Sequence, residues 1–114
     1  MQSVKRECYK LIQMLVVRGA CRYPGCRRKA VVGHHLFKRD RMATAFLPDA
    51  ILALCHEHHL EAHRCPEAFK SIAEYLLGSA KYLELESMSR MLVRYRQEDY
   101  EAIREALRRV IMGD

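Results

Sequence analysis

No apolar run in the sequence approaches the roughly 20 residues that cross a bilayer. The opening stretch, MQSVKRECYK, has neither the hydrophobic segment nor the cleavage pattern of a secretory signal. A soluble, cytoplasmic protein with no membrane partner is therefore the expectation. Repeats, linkers and low-complexity segments are also missing, so residues 1–114 read as a single domain with a modest core. Half of the residues are hydrophobic, which excludes a disordered tail. Acidic side chains are the scarcer kind, 14 against 20 lysines and arginines, for a net charge of +6. That balance favours a polyanionic partner, because neutralising phosphates releases counterions. Charge alone leaves a merely basic surface as the alternative.

The five cysteines are too few, by one, to pair completely, and a reducing cytoplasm disfavours disulfides. Four of them, Cys21, Cys26, Cys55 and Cys65, fall in the stretch that also holds all six histidines, His34 to His63. Such clustering in a cytosolic chain reads first as metal binding. Cys8 stands apart.

Three zones follow from the hydrophobic periodicity. Val4, Cys8, Leu11, Ile12 and Leu15 recur at helical spacing and predict a first helix over 3–18, closed by Gly19. The zone over 20–65 predicts a tight turn at Tyr23-Pro24-Gly25, a short strand at Ala30-Val31-Val32 ending in the histidine pair, and a polar, basic loop. A second strand at Ile51–Leu54 and a helix over His56–Arg64 complete it. Residues 66–112 predict a helical extension of three segments, 66–77, 80–95 and 98–111, with Pro66 in a first turn. Leu85, Met88, Leu92 and Tyr95 make one apolar stripe, and Tyr100, Ile103, Leu107 and Val110 another. Those stripes are core or partner-facing surface, which leaves a homodimer through the C-terminal helices open.

Ligand spacing predicts two metal sites. Structural zinc takes four ligands, usually as two close pairs. Cys21 and Cys26 flank the turn, and Cys55 and His58 are spaced Cys-x2-His at the start of a helix. His59 and His63, at i and i+4, project from one helix face and exceed what a four-coordinate zinc can absorb. A second site follows, completed from the His34-His35 pair, whose rings alternate across a strand. A zinc-protease helix would need glutamate directly after its first histidine, and His59-Leu60-Glu61-Ala62-His63 misplaces it. A two-Cys two-His finger would need a shorter gap between its pairs.

The run Cys21-x4-Cys26, then Gly33-His34-His35-Leu36-Phe37-Lys38-Arg39, then Leu54-Cys55-His56-Glu57-His58-His59-Leu60-Glu61-Ala62-His63 resembles the HNH endonuclease superfamily, in its phage-borne form with a cysteine–histidine zinc clip. The match covers about residues 20–64. The tail is more loosely similar to phage recombination nucleases of the NinG/Rap type. The resemblance implies an α+β fold: a small ββα-metal core with a structural zinc clip, flanked by an N-terminal helix and a C-terminal helical tail. It further implies His35 as general base, a divalent ion held by His34, His59 and His63 as in colicin-type DNases, and Zn2+ held by Cys21, Cys26, Cys55 and His58. The catalytic metal would be Mn2+, Mg2+, Ni2+ or Zn2+, with three imidazoles favouring a transition metal. The implied substrate is DNA, double-stranded or branched, in the bacterial host of a phage or prophage. The family's central asparagine is missing. Its place falls on Ala50, with Asp49 one residue earlier, and a shifted register would let Asp49 substitute for it.

This constellation suits phosphodiester hydrolysis. A neutral imidazole takes a proton from water near physiological pH, and a divalent ion neutralises charge on the phosphate and the departing 3′-oxygen. Lys38, Arg39 and Arg41, in the loop leaving the histidine pair, are the expected backbone-phosphate contacts, which position a duplex without reading its sequence. Arg90, Arg94, Arg104, Arg108 and Arg109 interleave with glutamates and read as a solvated face. Two rival readings stand beside the enzyme: a nucleic-acid-binding protein of weak or lost catalysis, favoured by the missing asparagine, and a recombination accessory protein that recruits a partner through its tail.

Overall fold

Residues 2–113 are described by a computed structural model. In chain order the elements are α1 (Gln2–Val16), β1 (Val32–His35), α2 (Met42–Ala45), β2 (Ile51–Leu54), α3 (His56–Arg64), α4 (Pro66–Leu77), α5 (Ser79–Ser89) and α6 (Gln97–Ile111), with a 3-10 turn at Pro48–Ala50. Among the described residues, six α-helices and a two-stranded antiparallel sheet form a compact α+β fold. No described helix is long and apolar enough to cross a membrane.

The small sheet separates two apolar clusters. β2 is buried along its whole length, which is why it reads as an unbroken apolar run rather than an alternating one. Ile51 packs with Val4, Cys8 and Ile12 of α1, Phe46, and Tyr100 and Leu107 of α6. Leu52 and Leu54 pack instead with Cys21, Cys55, Ala62 of α3 and Phe69 of α4. α1 lies along α6, and Glu7 receives Arg104 at 3.1 Å and Arg108 at 2.9 Å. Those two arginines are thus a clip between helices rather than the solvated face read from the sequence.

β1 pairs with β2 so that Val32 faces Leu54, Gly33 faces Ala53, His34 faces Leu52 and His35 faces Ile51. The strand therefore starts two residues later than expected and takes the histidine pair as its second half. Val31, expected inside it, is exposed. The expected loop between the strands holds α2 and the 3-10 turn, because Thr44, Ala45, Phe46 and Ala50 are buried and anchor it.

The second tail segment is also corrected. α5 stops at Ser89 rather than near 95. Ser89 Oγ turns back onto the Glu86 carbonyl at 2.6 Å, a local bond that competes with helix continuation. Beyond it the predicted stripe breaks: Leu85 is 2% exposed and Leu92 101%. In α6, Tyr100 and Leu107 are buried as expected, whereas Val110 is exposed.

At Gly33 the backbone of β1 meets α1 without room for a side chain. A Cβ there would lie 2.7 Å from Val16 Cγ2 and 2.9 Å from Ile51 Cγ2. Overpacking of this kind costs about 1–3 kcal/mol. Gly33→Ala is expected to lower the thermal midpoint by about 5–15 °C, and calorimetry of the purified variant checks it.

Candidate metal centres

Cys21, Cys26, Cys55 and His58 bring one ligand atom each to within 4.8 Å of one another. The turn between the first two cysteines is closed by a Cys26 N–H bond to the Tyr23 carbonyl at 2.9 Å, and a bond from Arg22 N–H to the Ala53 carbonyl at 2.8 Å docks it on β2. Cys55 is the N-cap of α3, its sulfur accepting from the His58 amide. His58 Nδ1 lies 3.3 Å from Cys55 Sγ and 3.5 Å from Cys21 Sγ. Ligand atoms bonded to one tetrahedral zinc would stand about 3.6 Å apart for a sulfur–nitrogen pair. The donor set and its spacing therefore fit a metal such as zinc. Tyr23 stacks on the His58 ring at 3.8 Å, nearly parallel, and so fixes the ligand's plane.

The thiols are tuned in opposite directions. Burial pushes the Cys21 thiol up. Burial would also raise Cys55, but hydrogen bonds from the His58 amide, Cys21 and Cys26, with Arg28 nearby, bring it below its ordinary value. A thiolate at a helix N-terminus is the form that binds a metal.

Alternation in β1 builds the second group. His34 projects to the α3 side, where its ring centroid lies 5.5 Å from His59 and 5.3 Å from His63. The ligand atoms of these three histidines also lie within 4.8 Å of one another. His59 Nε2 and His63 Nε2 face each other at 3.1 Å, close to the roughly 3.3 Å expected of two nitrogens on one tetrahedral ion. Burial, then His59, His63 and His35, lower the His34 pKa to about 4. Burial and the neighbouring His63 and His56 lower that of His59 as well. Both rings are consequently neutral at physiological pH, as metal ligation requires.

His35 projects the other way, toward α1 and α2, its ring 6.3 Å from that of Tyr9. Its Nε2 lies 3.0 Å from the Ala45 carbonyl. A carbonyl only accepts, so Nε2 carries the hydrogen and Nδ1 keeps its lone pair. The carbonyl is one of those left unsatisfied at the end of α2. Burial lowers the His35 pKa against the pull of that bond, and Arg39 lowers it further. Gln13 of α1 braces the strand just before the pair, accepting from Gly33 N at 2.8 Å and donating to Gly33 O at 3.0 Å.

A cleft of about 670 Å³ is lined by all four of His34, His35, His59 and His63, together with Lys38, Arg39 and residues of α1. Of the expected phosphate contacts, Lys38 and Arg39 line it and Arg41 does not. Arg41 Nη1 instead reaches the Ser89 carbonyl at 3.5 Å, at the end of α5.

Asp49 is not brought to the cleft. It sits exposed in the 3-10 turn, its carboxylate 3.6 Å from Lys81 Nζ. Ala50 is buried and offers its carbonyl to Leu36 N–H at 2.9 Å, so neither Asp49 nor Ala50 brings a polar side chain to the cleft. Asp49→Ala and Asp49→Asn are accordingly expected to leave any cleavage rate within about twofold, as surface changes remote from a site do, and plasmid nicking by the two variants checks it. Sequence reasoning missed Ala45 and Gln13. A backbone carbonyl leaves no signature in sequence, and Gln13 stands in a helix whose other residues read simply as amphipathic.

Comparison with protein-family profiles, curated proteins and solved structures finds no match to this chain.

Proposed function

We propose that the chain is a metal-dependent endonuclease of the HNH, ββα-metal kind that hydrolyses phosphodiester bonds in DNA. One observation carries the reading. Three histidines from β1 and α3 converge on a point in a cleft, and the next residue along β1, His35, stands outside that group with one nitrogen free to accept a proton.

His34, His59 and His63 would hold a divalent ion, which when bound stabilises charge on the phosphate and on the departing oxygen. His35 Nδ1 accepts a proton from water as the water oxygen attacks phosphorus. The bond from phosphorus to the 3′-oxygen breaks in the same displacement; the departing 3′-oxygen takes a proton from solvent water and His35 releases its own to solvent, leaving a 5′-phosphate and a 3′-hydroxyl. The Ala45 carbonyl stabilises the imidazolium that results, by keeping the Nε2 hydrogen bonded. Cys21, Cys26, Cys55 and His58 would hold zinc, which ties the turn after α1 to the start of α3 and so keeps His59 and His63 opposite His34. Lys38 and Arg39 contact backbone phosphates.

A binding protein of weak catalysis is the second reading, favoured by buried Ala50 where the family has its asparagine. Conversion of supercoiled plasmid to nicked and linear forms separates the two. The enzyme is expected to nick with added Mn2+ or Mg2+, to stop on chelation and to resume on repletion. Binding without nicking in any of the four divalent metals would leave only the second reading.

A further inference from the structure

Three concavities adjoin one another around the histidine cleft. The central cleft shares His34 and His63 with a second, of about 420 Å³, that runs toward Lys70. It shares Tyr9, Lys38 and Arg39 with a third, of about 580 Å³, that runs toward Lys5. One groove thus passes across the molecule with the histidine triad near its middle. Its walls carry five lysines and arginines, Lys5, Lys10, Lys38, Arg39 and Lys70, against one acid, Asp40. The whole chain has 20 against 14, so positive charge is concentrated where the groove runs.

Two of the five belong to α1, which lies outside the stretch that carries the histidine and cysteine motifs. Lys5 and Lys10 are separated by about 7.5 Å along the helix axis, with Tyr9 between them on the groove wall. The Arg39 guanidinium lies 4.0 Å over the Tyr9 ring, and the Tyr9 hydroxyl donates to the Arg39 carbonyl at 2.9 Å. Helix and loop are thereby tied into one rim. Lys70, at the other end, is 3.8 Å from Glu86 and partly neutralised, so the unbalanced charge lies on the α1 side.

We propose that Lys5, on the third concavity, and Lys10, on the central cleft, make the α1 side of the groove a phosphate-binding wall, which carries the substrate duplex away from the histidine centre toward Lys5. This rests on the reading of the cleft as a nucleic-acid site and adds to it a direction and two contacts. Lysine acts as a point charge on phosphate, so the wall contributes affinity without sequence preference.

The test is binding, not cleavage. Anisotropy of two labelled duplexes of unrelated sequence is measured across salt concentrations with the His35→Ala protein, alone and carrying Lys5→Ala, Lys10→Ala or both. Arg109→Ala, on α6 and paired with Glu105, is the control. Each lysine change is expected to reduce the slope of log affinity against log salt by about 0.9. The double variant should bind about tenfold more weakly near 0.15 M salt, equally for both sequences, while Arg109→Ala keeps the parental slope. An unchanged slope in the double variant, a loss confined to one sequence, or no duplex binding by the parent overturns the proposal. A reduced slope, together with no plasmid nicking by the protein that keeps His35, supports the wall and removes the nuclease reading, so the two failures are distinguishable.

Discussion

Replacement of Cys55 by serine is expected to unfold the middle of the molecule rather than to weaken it locally. Cys55 is 3% exposed, caps α3 and lies in the apolar cluster with Cys21, Leu52, Leu54 and Phe69. A hydroxyl stays protonated where a thiolate would bind metal, so the four-ligand set loses a charged member. Structural zinc contributes about 10–16 kcal/mol of binding free energy in small peptides, against a total stability of about 5–15 kcal/mol for an ordinary domain. Losing even a third of it shifts the midpoint by at least about 15 °C. Zinc content should fall by one per chain, and proteolysis should open the region around the cysteine turn. Cys65→Ser is the comparison, since Cys65 is exposed and outside the cluster. It is expected to change stability by no more than about 0.5 kcal/mol. A Cys55→Ser protein with parental zinc and midpoint would show that the cluster holds no structural metal.

The second large effect is on chemistry. His35→Ala is expected to lower the single-turnover cleavage rate about 10²–10⁴-fold, the range of a lost general base, while both metals stay bound. Its Nε2 is bonded to the Ala45 carbonyl, and the residue is not one of the three histidines whose ligand atoms converge. Leaving that carbonyl without its partner costs about 1–3 kcal/mol, so the fold survives. His34→Ala should behave differently, with the histidine-bound ion lost and the cysteine-bound one kept. If His35→Ala strips the second ion and His34→Ala does not, the roles within the pair are exchanged.

What could be read from the sequence was whatever leaves a spacing. Cys-x4-Cys and Cys-x2-His named the four residues that the fold brings together, and the i, i+4 histidines named the face of α3 that meets β1. Alternation in a strand was enough to expect His34 and His35 on opposite sides, although the strand itself begins two residues later than its apolar residues suggested. The rest depended on contacts between elements far apart in sequence. Arg41 looks like Arg39 in the sequence, but the end of α5 captures it. The family's central position falls on Ala50 in the sequence, with Asp49 as its substitute only in a shifted register, and the buried Ala50 carbonyl in the 3-10 turn fixes a register that leaves the Asp49 carboxylate facing Lys81. The α1 wall of the groove was invisible because Lys5, Tyr9 and Lys10 gain meaning only once Gln13 and Gly33 set the helix against β1.

The proposed function requires two separate metal centres, one of cysteines with His58 and one of three histidines. Anomalous scattering from crystals grown with Zn2+ and with Mn2+, recorded on both sides of each absorption edge, locates them directly. Two peaks per chain are expected: zinc bonded to Cys21, Cys26, Cys55 and His58, and a second ion between His34, His59 and His63 with His35 unligated. A single peak at the cysteines, with the histidine group empty in both metals, would contradict the proposed function.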